Sequence, residues 1–389
     1  MTCPPVSLPH HKYKIIIATA SIGGGHTKAG QAVQHALSAY EDVDTQLIDF
    51  TAPSLSRPGN LVKSAYLFIL QTFPAIYGFL YRLSQKPFWG SLFCRLTAAI
   101  MQHSVRQLLA DQKPDIILCT HPFPCGGAAE LRRRGCLNVP VAAVITDFVV
   151  HRLWVYNEVT HYFVATPTLK VTLEQTAASH QYIQATGIPV HERFSHFLSR
   201  SEACSQLDLN PTRRTILLMG GSLGLDALQT VLLHLNRLTD PFNIIAVAGT
   251  NDALRQKLER TATQSPHQVK ILGYTQEIPL LMSAADLLIT KPGALTISEA
   301  LVKGLPMLLY QALPGQEEDN AAYLTASGAA CWATTEQELT RELTRILTDN
   351  EELTERSQQA LALGCPNAAN HIATSVYQAL TDRSPFHQP

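Results

Sequence analysis

Several runs in this sequence pair a glycine turn with a group able to move a proton or hold an anion. The first is Ser21-Ile22-Gly23-Gly24-Gly25-His26. An imidazole titrates near neutrality, so His26 can orient or deprotonate a hydroxyl. The glycines do not fit the usual phosphate loops. A dinucleotide fingerprint counted from Gly23 and Gly25 needs glycine where Lys28 stands, and no Gly-Lys-Ser/Thr run is present. The alternative is a tight strand-to-helix turn with a capping residue. A second turn, Gly220-Gly221-Ser222-Leu223-Gly224, offers backbone N–H groups to an anion at the positive end of a helix, or closes a structural turn.

The most informative run is Lys291-Pro292-Gly293-Ala294-Leu295-Thr296-Ile297-Ser298-Glu299. Pro and Gly end a strand, and a helix start then presents unpaired amides suited to a diphosphate. Glu299 lies close enough to that end to accept hydrogen bonds from ribose hydroxyls. Downstream, Pro314 to Asn320 put polar side chains at another loop–helix junction, where Gln316 and Glu317 are suited to reading sugar hydroxyls or form a solvated helix start. In the first half, His121 and Thr146-Asp147 follow strand-like segments, with His151, Arg152 and Trp154 just beyond. Polar groups at strand ends more often serve function than packing, although Asp147 is also a plausible helix cap. Together these loops outline a nucleotide-sugar site.

Such groups need a scaffold that brings loop ends together, and the hydrophobic pattern supplies one. Lys14–Ala20 reads as a buried strand, followed by a helix with Ala29, Val33, Ala36, Leu37 and Tyr40 on one face. Further strands are expected at Asp115–Cys119, Val139–Ile145 and His161–Ala165. After a polar stretch (Ser195–Arg214) the pattern restarts, with strands at Thr215–Met219, Asn243–Ala248, Val269–Leu272, Asp286–Ile289 and Pro306–Tyr310. Alternation of this kind builds parallel sheets with helices on both faces. The class is α/β, with two Rossmann-like domains facing a central cleft, because ligands sit beyond the carboxyl ends of such strands.

Composition narrows the possibilities. The 389 residues are 46% hydrophobic and 16% charged, which suits a folded chain of two or three domains. A net charge of -1 argues against nucleic acid as a partner. No apolar run approaches the length of a membrane span, and no apolar core precedes the first strand as a signal peptide would require. Eight cysteines without a CxxC pair fit a reducing cytosol and suggest no metal motif.

The charge is unevenly placed. From Phe50 through Ala110 there is no Asp or Glu, while Arg57, Lys63, Arg82, Lys86, Arg95 and Arg106 carry positive charge. Nine aromatic residues fall between Tyr66 and Phe93. This stretch is either a pair of core helices with cations as surface decoration, or an interfacial segment whose apolar groups enter a headgroup layer and whose cations meet anionic lipid. Pro74, Gly78 and Pro87 are expected to divide it into short pieces lying on a membrane rather than spanning it.

The runs GGGH at 23–26, THPFP at 120–124, TDFVVHRLWVYNEVTHYFVAT at 146–166, GIPV at 187–190, GGSLG at 220–224, ITKPGALTISEA at 289–300 and LPGQEEDNA at 313–321 are recognisable. In order and spacing they resemble the diacylglycerol glycosyltransferases, the group of monogalactosyldiacylglycerol synthase and processive diacylglycerol glucosyltransferase. The resemblance implies a GT-B fold and an inverting transfer of a hexose from UDP-glucose or UDP-galactose to 1,2-diacylglycerol. It implies no cofactor, the UDP-sugar being a substrate, and no metal at the reaction centre. It places the acceptor and membrane-associating part in residues 1–195 and the UDP-sugar part in 196–365. Residues 366–389 would form a helix returning to the first domain and a tail.

Position by position, the resemblance puts a phosphate at Gly221 and Ser222, the diphosphate at Gly293, Ala294, Leu295 and Thr296, and the ribose at Glu299. The hexose falls to Gln316 and Glu317, with Asn320 on the phosphate side and uracil near Tyr274. His26 becomes the acceptor-side base, with Gly25 beside it and Asp147, His151 and Trp154 at the cleft edge. The basic aromatic stretch, residues 61–95, falls where the family meets an anionic membrane surface, which implies a cytoplasmic, peripheral enzyme. One departure is Ala294, where many relatives carry a second glycine; the added methyl restricts φ beside the phosphates. A polyprenyl-linked acceptor on the same fold, a membrane-surface nucleotide-sugar sensor and a UDP-sugar epimerase are the competing readings.

Overall fold

The computed structural model describes residues 12–381 except 23, 52–63, 65–67, 70–71, 111, 177–180 and 221–226. The first-half strands are β1 (Tyr13–Thr19), β2 (Val43–Asp49), β3 (Ile116–Cys119), β4 (Val141–Val144), β5 (His161–Val164) and β6 (Tyr182–Ala185). They form one parallel sheet in the order β2-β1-β3-β4-β5-β6. The second half contributes β7 (Thr215–Met219), β8 (Asn243–Val247), β9 (Gln268–Leu272), β10 (Leu287–Thr290), β11 (Met307–Tyr310) and β12 (Ala330–Ala333). Their sheet is also parallel, in the order β12-β11-β10-β7-β8-β9.

Interior strands of such sheets are covered on both faces, and their sequences show it. Ile15, Ile16 and Ile17 of β1 are all buried, as are Ile216, Leu217 and Leu218 of β7. Three strands lie outside those the hydrophobic pattern predicts: β2, β6 and β12. Each is a sheet edge, paired on one side only.

The helix Gly25–Leu37 buries Ala29, Val33 and Leu37 on the expected face. Tyr40 lies beyond it and stacks on Tyr377 with ring centroids 4.1 Å apart. Tyr377 belongs to the last helix, Ala368–Thr381, which returns to the first sheet. Its Ile372, Ala373 and Val376 share one buried cluster with Ile15, Ile17, Val33, Leu37 and Phe163.

The basic aromatic stretch resolves into helices Pro74–Gln85 and Pro87–Ala110. Each proline stands at a helix start, where the missing N–H costs nothing. Gly78 does not break its helix, contrary to expectation. It permits a close approach instead, since a Cβ there would come 2.7 Å from the Cβ of Pro314 in the second half. The second helix runs for 24 residues, longer than the short pieces expected. One face of it buries Ala98, Met101 and Val105 against the helix Pro122–Arg133. Gly126 and Gly127 make room for that packing, because a Cβ on Gly127 would meet Val105 Cγ2 at 2.8 Å. Among the described residues, no helix is long and apolar enough to cross a membrane.

Candidate active site

Strand order reverses direction between β1 and β3 in the first sheet and between β7 and β10 in the second. A crevice opens at such switch points, beyond the carboxyl ends of the strands. The loops and helix starts after β1, β3 and β4 carry His26, Thr120, His121, Thr146 and Asp147; those after β10 and β11 carry Gly293 to Glu299 and Gln316 to Asn320. The two helix starts face each other, a Cβ built on Gly25 lying 3.5 Å from the Cβ of Leu295. Two positive helix ends thus converge on one space, a favourable setting for an anion.

His26 is held by one ring nitrogen. Its Nδ1 lies 3.0 Å from the carbonyl oxygen of Thr120 and 2.7 Å from Thr146 Oγ1. A carbonyl only accepts, so Nδ1 carries the proton and Nε2 keeps its lone pair. Thr120 also donates from Oγ1 to the His26 carbonyl at 3.0 Å, which ties helix start to strand end. Burial lowers the His26 pKa to about 4, opposed by the bond to Thr120, so the ring is neutral at pH 7. The His121 ring meets His26 edge-on with centroids 4.6 Å apart. His121 Nδ1 accepts from the Phe123 N–H at 3.1 Å and so caps the following helix.

On the opposite wall, the helix Ala294–Val302 begins directly after Gly293. A Cβ built on Gly293 meets nothing within 4 Å, so open space lies at the helix mouth. Ala294 and Leu295 are buried and offer only their backbone, whereas the Thr296 side chain is partly accessible. Position 294 is helical, a conformation alanine adopts freely, so the departure from a second glycine introduces no backbone strain. Glu299 is 5% exposed. Burial raises its pKa to about 7, against the pull of the Lys28 ammonium from the first half.

The two walls join through Asp147 and Asn320. Asp147 is 6% exposed and accepts hydrogen bonds from the side chains of Gln316 and Asn320. Burial outweighs those bonds and raises its pKa to about 7. Asn320 Oδ1 accepts from the Phe148 N–H at 3.0 Å, and its Nδ2 donates to the Pro292 carbonyl at 3.3 Å. Phe148 stacks on Tyr323 with centroids 5.1 Å apart. Glu317 pairs with Lys291 and accepts from the Leu313 N–H at 3.0 Å, so its carboxylate shapes the loop.

Tyr274 stands just past β9 and is 66% exposed, leaving its ring free. Gly221 and Ser222 lie outside the described residues. Two cleft-edge expectations are corrected. Trp154 is 1% exposed, inside the first core, because its ring is too large and apolar for a wet edge when a pocket beside Met101 and Tyr162 can take it. His151 has both nitrogens engaged: Nδ1 accepts from the Leu153 N–H at 3.1 Å, and Nε2 meets Ser84 Oγ at 2.9 Å. With burial lowering its pKa to about 4, it anchors the helix Pro74–Gln85 rather than serving as a free acid or base. Sequence reasoning gave no role to Lys291, Tyr81 or Asp319, whose partners are remote in the chain. Thr120 carried one usable signal, a hydroxyl directly after a buried strand.

Residues 26–190 match the monogalactosyldiacylglycerol (MGDG) synthase family, and residues 215–372 match the glycosyltransferase family 28 C-terminal domain. A processive diacylglycerol beta-glucosyltransferase of Bacillus cytotoxicus is 27% identical over 379 residues, covering 97% of each chain. MurG of Acinetobacter baumannii is similar in structure with a TM-score of 0.62 at 20% identity, over 94% of this chain and 99% of that one. S. aureus MnaA, solved with UDP, gives a TM-score of 0.62 at 13% identity, over 96% of this chain and 99% of that one. Those two likenesses are of fold, and the fold is GT-B. The first half thus resembles the MGDG synthases, the second half the family 28 glycosyltransferases, and the full length the processive diacylglycerol beta-glucosyltransferases.

Proposed function

We propose that the protein transfers a hexose from UDP-glucose or UDP-galactose to the 3-hydroxyl of 1,2-diacylglycerol, with inversion, at a membrane surface. The observation that carries the reading is His26, fixed through Nδ1 with Nε2 unprotonated, at the mouth between two facing helix starts. In the step itself, the diacylglycerol oxygen attacks the anomeric carbon. Its proton passes to His26 Nε2, and the bond from that carbon to the diphosphate oxygen breaks with its electron pair going to UDP. Amides at Gly293 to Thr296 and near Gly25 meet the charge on the leaving diphosphate. Oriented dipoles in a dry site do this without reorganisation. Glu299 would hold the ribose, Tyr274 the uracil side, and Gln316 and Glu317 the hexose. Asn320 ties the phosphate side to the first half, with Gly221 and Ser222 as further phosphate contacts.

The acceptor reading rests on the first half. The MGDG synthase match covers that half, and the basic aromatic helices leave a row of apolar residues exposed. Phe88, Leu92, Leu96 and Ile100 recur every four residues along one helix side, with exposed Arg95 and Arg106 on the same helix. Apolar groups that enter a headgroup layer, flanked by cations, suit an anionic leaflet on the cytoplasmic side. UDP release by the purified protein tests the proposal, with diacylglycerol in mixed micelles with anionic lipid and each UDP-hexose in turn. Release that depends on diacylglycerol is expected, and the faster donor names the sugar. Release only with a polyprenyl-linked acceptor would move the protein to another branch of the fold. UDP binding without release on any acceptor would leave a sensor.

A further inference from the structure

The helix Pro74–Gln85 has two unlike sides. Its inner side meets the loop that opens the helix Gln316–Ala326. Tyr81 Oη donates to Asp319 Oδ2 at 2.9 Å, and Arg82 pairs with Glu318 at 3.2 Å. Gly315 has φ +94° and lies under the Tyr81 ring, where a Cβ would come 2.7 Å from Cγ. Gly78 rests on Pro314 just as closely. Tyr81 and Ser84 are further held by His151, through a ring contact of 4.8 Å and the bond to Ser84 Oγ. The outer side is different. Phe73 at its start, then Ile76 and Phe79, recur every three residues and are exposed.

The helix start gripped by the inner side is the one that carries Gln316, Glu317 and Asn320. Gln316 reaches Asp147, Glu317 pairs with Lys291, and Asn320 bridges the Phe148 N–H and the Pro292 carbonyl next to the diphosphate helix. One layer of packing therefore separates the exposed outer face from the donor side of the cleft. Tyr81 touches neither proposed substrate site directly; it acts through Asp319.

From this juxtaposition we infer that the helix Pro74–Gln85 couples the two substrates. Seating its outer face in an anionic lipid surface holds the helix start Gln316–Asn320 in its donor-binding arrangement, so the surface-bound protein takes up UDP-sugar more tightly than the protein in solution. The inference rests on the lipid-surface reading of the function. Coupling of this kind is reciprocal: the donor nucleotide tightens attachment to the surface by the same factor. The lipid need only interact differently with the clasped and unclasped arrangements of one helix.

The test is the dissociation constant of UDP, measured on the full chain in solution and on vesicles of phosphatidylcholine with phosphatidylglycerol. For the native protein it should fall on vesicles by roughly fivefold or more, the lower end of measured couplings. Tyr81→Phe keeps the ring against Gly315 but loses the bond to Asp319. It should float with vesicles and bind UDP in solution as the native protein does, with the vesicle-induced tightening largely gone. Asp319→Asn still accepts the tyrosine hydroxyl and should keep most of the tightening, which a merely structural role for Tyr81 would not predict. A native protein that floats and binds UDP with equal affinity on and off vesicles overturns the coupling alone. So does a Tyr81→Phe variant with the full shift. A native protein that does not float removes the lipid-surface reading and the coupling with it.

Discussion

At the scale of single residues, the chemistry of His26 depends on what occupies its other nitrogen. The Thr120 carbonyl is an acceptor with no alternative role, so it fixes the tautomer without charging the ring. His26→Ala should lower turnover by about 10²–10⁴-fold, the usual share of a general base, with UDP affinity nearly unchanged. Near-normal turnover in that variant would reject the assignment. A pKa near 4 also places the acid limb of kcat/KM well below that of an ordinary histidine. Asp147 and Glu299 behave oppositely, since burial raises both to about 7. Their folded pKa values exceed those of the unfolded chain, so the stability they contribute is full below about pH 4 and is lost as pH rises through 7. The Tm of the ligand-free protein should accordingly fall between pH 5 and pH 8. Asp147→Asn and Glu299→Gln should each reduce that fall, and an unaltered pH profile in both would contradict the account. His26, Asp147 and Glu299 were legible in the sequence as polar groups at strand ends and helix starts. Trp154 was misread, because adjacency to such groups says nothing about which way a ring turns.

At the scale of elements, what the sequence conveyed depended on burial. Strands covered on both faces announce themselves as unbroken aliphatic runs, as Ile15-Ile16-Ile17 and Leu287-Leu288-Ile289 do. Three of the four edge strands do not. β2 reads Val-Asp-Thr-Gln-Leu-Ile-Asp with polar residues interleaved, and β12 reads Ala-Cys-Trp-Ala, weak in β-branched residues. Gly78 misled for a related reason. A glycine that permits close contact with a distant proline looks, in sequence, like one that breaks a helix. The same logic marks Gly127, wedged against the Met101 carbonyl carbon at 3.0 Å and Val105 at 2.8 Å. The backbone cannot retreat as a side chain might, so Gly127→Ala should cost about 1–3 kcal/mol. Urea unfolding with an unchanged slope and a lower midpoint would register it. An unchanged midpoint would mean the two helices part without penalty.

At the scale of the whole molecule, the row Phe88, Leu92, Leu96 and Ile100 gathers four exposed apolar side chains on one helix side. Replacing Phe88 and Leu96 together by Ser should abolish flotation with anionic vesicles while UDP binding in solution persists. Each nearby cation adds about 1 kcal/mol at an anionic surface, so native flotation should also weaken as salt rises. Flotation that withstands both the double substitution and high salt would locate the lipid contact elsewhere. These residues were legible as a composition, an acid-free aromatic stretch, but which of them face outward was not. Helical phase relative to the core decides it, and that phase is set by Ala98, Met101 and Val105 packing on a partner helix.

The last helix gives the chain an unusual biography. Ile372, Ala373 and Val376 complete a core whose other members, from Ile15 to Phe163, are polymerised far earlier. During vectorial synthesis, one flank of the first sheet stays uncovered until the ribosome has finished the entire second sheet. The half made first is the half completed last. A nascent chain halted after the first sheet should therefore remain protease-sensitive, and its need for chaperone cover should end only once residue 376 has emerged.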